Sequence, residues 1–401
     1  MVARDTTSTS RFPLLGLLVL AGAIFCSVTS EFLPTGLLPD ISHELRVSTS
    51  QVGLLVSIFA GVVVLTATPL AALTRRVSRK RLVILVLLIN AVSGVLAAIA
   101  PTYELLIGAR ILGGLAHGLF WAVVGAYSAH LVPKHQLGRA VAITSGGATA
   151  AFVLGVPLGT ALGHAFGWRL AFASIAGAMV VLTVFVARFL PAVDHRVTLA
   201  TGEIALPMRR DHTLPAVVIV CVVIVVVAMG HNSFYTYIAP WLIGIPGFDV
   251  SAVAPLLFLY GGTGAIGLAL AGLIADRYPR RGLIGMTIAV AVPVLMLALF
   301  SHNQVAVIVA IAVWGVVFGG LPAMLQTRML HAASARVRDV ASALFTTSFN
   351  IAIGGGALIG GLVLDGAGLG ALPPVDLGFI AVGIVFLVAA DAWLRRRAAL
   401  R

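Results

Sequence analysis

The sequence predicts an all-α membrane protein with twelve transmembrane helices in two pseudo-symmetric six-helix bundles. Three observations predict it. Of 401 residues, 60% are hydrophobic and only 10% charged, with a mean hydropathy of +1.08, whereas a soluble domain carries roughly 25% charged residues. A surface so poor in charge needs lipid as its main solvent. Twelve apolar runs approach or exceed the ~20 residues needed to cross a bilayer, and basic residues gather in alternate gaps between them.

The runs fall at approximately 12–38, 50–73, 82–100, 104–130, 138–162, 169–190, 214–241, 252–275, 282–300, 304–330, 339–364 and 375–394. The first is too long for the apolar stretch of a signal peptide and shows no small-residue cleavage site, so it reads as a retained helix. Pro101, Thr102, Tyr103 and Glu104 alone separate the third from the fourth. The longest polar stretch, Pro191–Thr213, divides the chain into an N-terminal bundle (1–190), a cytoplasmic linker loop (191–213) and a C-terminal bundle (214–401). With both termini inside, 23 of the 26 Lys and Arg residues lie in inner loops and tails. Only Arg46 and Arg169 fall in outer loops, and Arg110 lies within a span. This asymmetry follows the positive-inside rule and predicts a multi-pass protein of a bacterial inner membrane with cytoplasmic termini.

Several function classes drop out. The net charge of +12 sits in short inter-helical clusters, with no basic face interleaved with aromatics, so nucleic acid is not an expected partner. Cys26 and Cys221, each inside an apolar run, make neither a disulfide framework nor a zinc site. No metal is expected, because no Asp, Glu or second His stands at ligand spacing near His117. No phosphate-cradling Gly–Lys loop and no nucleophile–base arrangement stand out, so ATP-driven pumping, cofactors and enzyme activity are not expected.

A basic loop follows the second span of each half: Arg75–Arg81 (RRVSRKR) and Asp276–Arg281 (DRYPRR), offset by about 200 residues. Such a parallel duplication fits two bundles related by an axis along the membrane normal. At these loops the sequence resembles the Major Facilitator Superfamily. Gly272, Asp276, Arg277, Arg280 and Arg281 match the family's gating motif. The first-half copy keeps Arg76 and Arg79 but has Ala71, Arg75 and Ser78 where Gly, Asp and Gly are usual. Arg110–Gly114 (RILGG) resembles the buried Arg-x-x-x-Gly element of span four, and Gly155, Pro157 and Gly159 resemble the Gly-Pro element of antiporters in span five. Small residues at that spacing let helix backbones approach, and Pro157 allows a kink. Together with SEFLPTGLLPDI in span one and GWRLAF opening span six, the chain looks like a member of the twelve-helix drug/proton antiporters, in the arabinose-efflux and chloramphenicol-resistance branch. The resemblance implies export driven by proton entry.

An ionisable group in hydrocarbon costs at least ~2.5–3.5 kcal/mol, so it is a functional candidate by default. Glu31 is the single carboxylate well inside a predicted span and is the expected proton site. The competing reading is a helix-end carboxylate at the outer interface, since Pro34 and Pro39 follow. Arg110 in the same membrane half would bias Glu31 or bond backbone carbonyls. Arg110, Gly114, His117 and Trp121 recur on one helical face. His117 is read either as a relay or as a packed polar residue. Trp121, His231, Asn232, Tyr235, Trp314, Phe318 and Asn350 are the expected substrate-binding residues, in a midplane pocket suited to a modest-sized neutral solute.

The expectation is a secondary active exporter of small drug-like or sugar-like solutes by proton antiport through alternating access, functional as a monomer. A proton-independent facilitator or importer is the alternative, and a receptor or enzyme the third reading.

Overall fold

The structure is a computed structural model that describes residues 12–74, 76–132, 136–191, 211, 213–275, 279–334 and 337–399. Among the described residues there is no strand, and thirteen of the fourteen α-helices make twelve candidate membrane spans.

Helix α1 (Leu14–Leu45) runs through Pro34 and Pro39 and ends only at Arg46, whose left-handed backbone (φ 53°) closes it. Glu31 is therefore a mid-helix residue, not a helix-end one. Helix α2 (Thr49–Leu73) starts with a reciprocal cap: Gln51 N donates to Ser48 Oγ at 3.1 Å and Ser48 N to Gln51 Oε1 at 2.8 Å. Helices α3 (Arg79–Ala98) and α4 (Tyr103–Leu131) follow. The fifth span is composite: α5 (Leu137–Ala150), a π-helical turn (Ala151–Gly155) and α6 (Val156–Phe166). The wide turn lies just ahead of Pro157, which has no N–H to give the regular ladder. Gly167, at φ 92°, reverses the chain within one residue into α7 (Trp168–Phe189).

The second half comprises α8 (Leu214–Tyr235), α9 (Ile238–Gly244), α10 (Val250–Ala275), α11 (Pro279–Leu299), α12 (Gln304–Ala332), α13 (Arg338–Ala367) and α14 (Leu372–Ala399). The sequence expects span seven to continue to residue 241, but the helix breaks at Thr236–Tyr237. There the fully buried Tyr237 donates its hydroxyl to Ala357 O of α13 at 2.8 Å, a tertiary contact that outweighs helix continuation.

The antiporter-type glycines are packing notches. A Cβ on Gly155, Gly159 or Gly163 would lie 2.0–2.5 Å from Thr29, Leu33 or Leu37 of α1. Four-residue spacing on one helix thus receives four-residue spacing on the other.

The loop at Arg76–Arg81 marks a basic face of the bundle, and the α1–α2 turn marks the opposite face, charge-poor in the sense that few Lys or Arg lie there. On the charge-poor half the two sets of helices interlock. Gly354 and Gly361 of α13 lie against Ala60 and Ser50 of α2, and Gly53 leaves room for the Tyr237 hydroxyl. At mid-depth Gly261 of α10 meets the Phe152 carbonyl, where a Cβ would come within 2.2 Å. Nearer the basic face, α10 barely touches α5, and Ser145 and Ser342 are exposed within their spans. The two sets of helices therefore pack most closely toward the charge-poor face and less closely toward the basic one. Glu44 ties the charge-poor end together, accepting from Trp168 Nε1 at 2.6 Å and from Arg169.

Candidate functional site

Helix α4 turns one face toward α1 and α2. Gly114 lets α2 approach closely, since a Cβ there would sit 2.8 Å from the Phe59 carbonyl. Phe59 accordingly lies beneath Arg110, with the guanidinium 4.2 Å from the ring centroid, and its ring is 5.1 Å from that of His117. Arg110 is 2% exposed, and its Nη1 and Nη2 donate to Ser30 O and Glu31 O at 2.8 and 2.9 Å. The first of these bonds has a local cause. Pro34 cannot donate to the carbonyl four residues earlier, which is Ser30, and Arg110 supplies the missing donor. Arg110 therefore holds the backbone of α1, one of the two readings the sequence allows, and its guanidinium remains beside Glu31.

The Glu31 carboxyl, in a residue only 4% exposed, faces His117 instead, with Oε2 3.4 Å from Nε2. That nitrogen also receives the Trp121 indole N–H at 2.7 Å, and Nδ1 lies 2.8 Å from Ser27 Oγ. An indole can only donate, so Nε2 is an acceptor and the ring is neutral, with its proton directed at Ser27. The approach of Glu31 to His117 is thus no ion pair. Trp121 is half-buried, so a continuous chain runs from a buried carboxyl through His117 to a partly exposed indole.

The second half builds a ring cluster. His231 stacks on Phe318 (centroids 3.3 Å, planes at 11°) and on Tyr235 (5.2 Å, 17°), with Trp314 edge-on at 4.9 Å. Tyr260, absent from the sequence-derived set, joins with its hydroxyl 3.4 Å from His231 Nε2. His231 Nδ1 and Trp314 Nε1 have no partner among the described residues. Asn232 stands apart, donating to Ala228 O at 2.7 Å and packing against Gly356 of α13. Asn350, on α13, donates to Thr346 O at 3.0 Å and leaves its Oδ1 unpartnered. Among the described residues no group of three His, Cys, Asp or Glu could hold a metal ion.

Asp376, read from sequence as a loop or helix-end residue, does stand in the first turns of α14, but it is 0% exposed, a burial the sequence did not signal. Span twelve starts early, at Leu372, and Gly230 of α8 presses against the Asp376 side chain.

The profile of the Major Facilitator Superfamily matches residues 20–357 and 220–400. This chain belongs to that superfamily. Two similar relatives are each called "Probable sugar efflux transporter". The one from Helicobacter pylori (strain G27) is 30% identical over 97% of this chain and 96% of that protein. The one from Mannheimia succiniciproducens is 30% identical over 92% of each. The fold matches a bacterial homolog of the human lysosomal transporter Spinster in an inward-facing, occupied conformation (TM-score 0.72, 18% identity, covering 95% of this chain and 96% of that one). It also matches the nucleoside transporter NupG (TM-score 0.73, 15% identity, covering 95% and 99%). The superfamily is a transporter family, not an enzyme class.

Of the superfamily's gating motif, Gly272 is exposed on α10 and Arg76 is exposed at the end of α2, while Arg79 opens α3 half-buried. Arg75, Asp276 and Arg277 lie outside the described residues, as do the side chains of Arg280 and Arg281. Sequence reasoning missed Ser27, Phe59 and Tyr260. Of these, Ser27 stands four residues before Glu31, one helical turn away, which is the signal that could have found it.

Proposed function

We propose that this transporter exports small neutral solutes, sugars or drug-like compounds, by proton antiport through alternating access. The observation that carries the reading is the chain Glu31–His117–Trp121. Beside a neutral imidazole whose Nε2 lone pair is already engaged, an ionised Glu31 would face a lone pair and no cation within bonding distance. The protonated carboxyl, in contrast, can donate to that same nitrogen. Trp121 and Glu31 therefore compete for one acceptor. A solute hydroxyl that draws the Trp121 N–H toward the cavity frees Nε2 for the Glu31 proton, so solute binding and proton position are linked.

Sugars are supported by two observations. The relatives named above are called sugar efflux transporters. The ring cluster of His231, Tyr235, Trp314 and Phe318, packed ring on ring, combines apolar aromatic surface with unpartnered polar atoms on His231 and Trp314, groups that would suit a polyhydroxylated ring once the cluster opens. The halves 1–190 and 214–401 would rock about this midplane site, with the basic face cytoplasmic in a bacterial inner membrane and one chain forming the whole path. The test is counterflow in proteoliposomes loaded with a panel of labelled monosaccharides, disaccharides and chloramphenicol-like compounds. Exchange of at least one sugar is expected, and exchange of none of the panel would remove this reading.

A further inference from the structure

We propose that Asp376 is a second proton-binding site, set behind the ring cluster of the C-terminal half, whose protonation accompanies closure of the charge-poor face. The inference needs only alternating access and does not depend on Glu31 carrying a proton. Asp376 is 0% exposed, and neither Oδ1 nor Oδ2 has a hydrogen-bond partner among the described residues. Its position in the first turns of α14 would ordinarily offer backbone donors, but Pro373 and Pro374 remove two of them.

Among the described residues no cation pairs with it. On α8, which packs against α14, the titratable groups are His231, Tyr235 and Cys221, and Tyr260 of α10 joins the ring cluster beside His231. On α13 there are Asp365, at the charge-poor end, and Arg338 and Asp339 at the far, basic end. On α11 there are only Arg280 and Arg281 at the basic-face end, with side chains outside the described residues. A bare carboxylate in such surroundings is far costlier than a protonated one, so in this closed arrangement Asp376 is a carboxylic acid.

The path for the proton is short. Asp376 lies one turn from the charge-poor loop that ends at Leu372, and its Oδ1 abuts Gly230, where a Cβ would come within 2.9 Å. Gly230 precedes His231 of the ring cluster. A small movement of α8 away from α14 hydrates the carboxyl. The O–H bond then breaks, the proton passes to water on the charge-poor side, and the aspartate stays ionised until the seam closes and takes a proton back. Nothing is oxidised or reduced, and the proton returns to the side it came from.

The experiment measures the distance between spin labels at the exposed positions His43 and Gly366 on the charge-poor face across a pH series in the full-length protein. Wild type is expected to shift toward the open, longer distance as pH rises. Asp376→Asn should remain at the short distance throughout. A wild-type-like response in Asp376→Asn would overturn the proposal. A second measurement does not require the Asp376 variant to fold. In Glu31→Gln, the infrared carbonyl band of a buried carboxylic acid should persist at pH values where exposed carboxyls have ionised. Its absence would equally overturn the assignment.

Discussion

Replacing Trp121 with Phe keeps an aromatic ring on α4 but deletes the indole N–H that His117 Nε2 accepts at 2.7 Å. A net hydrogen bond of this kind contributes about 0.5–1.5 kcal/mol. At 1.4 kcal/mol per tenfold, that is roughly a two- to tenfold change in the balance between the Trp121-bonded and Glu31-bonded forms of His117. With the competitor gone, Nε2 is available to the Glu31 proton whether or not solute is bound. Two assays separate the consequences. Solute exchange at equal pH on both sides should fall by no more than that factor. Accumulation against a gradient under an imposed pH difference should fall further, because proton position no longer reports solute. A proportional loss in both assays, or no loss in either, would refute the link between Trp121 and the proton site.

Three further outcomes follow from the same geometry. Arg110→Lys offers a point charge in place of a fork that serves two carbonyls and stacks on Phe59, so at least one carbonyl of α1 loses its donor. The variant should lose about 1–3 kcal/mol of stability, read as a lower melting temperature in detergent, with transport reduced more than expression. Gly36→Ala would place a methyl 2.0 Å from Thr160 Oγ1 and cost about 1–3 kcal/mol by overpacking. Adding Thr160→Gly should restore much of the melting temperature, and a strictly additive double variant would contradict the α1–α6 contact. Gly261→Leu, at the Phe152 carbonyl, should hold the charge-poor face open, seen as a longer distance between labels at His43 and Gly366.

The twelve spans were legible because lipid makes hydropathy an almost sufficient signal. The Glu31–Arg110–His117 grouping was legible for the same reason, since ionisable side chains inside spans must find one another or a cavity. What the sequence could not resolve was which atoms meet. The carbonyl that Arg110 serves is orphaned by Pro34, and reading that requires knowing that α4 lies alongside α1. Asp376 escaped because a carboxylate after two prolines has the pattern of a helix start at the interface, whereas its burial depends on Gly230 of a helix about 150 residues away. Tyr260 and the break at Tyr237 likewise depend on neighbours from other spans. Asn232 shared the local pattern of His231 and Tyr235, yet one residue of helical rotation turned it toward α13.

The central claim is that the Glu31 carboxyl couples proton entry to solute export, and Glu31→Gln in proteoliposomes tests it most directly. The substitution keeps the side-chain shape and removes the titratable proton. With a transported sugar and an imposed pH gradient, wild type should concentrate solute on the acidic side. Glu31→Gln should retain exchange at equal pH and build no gradient. Accumulation by Glu31→Gln equal to that of wild type would contradict the account.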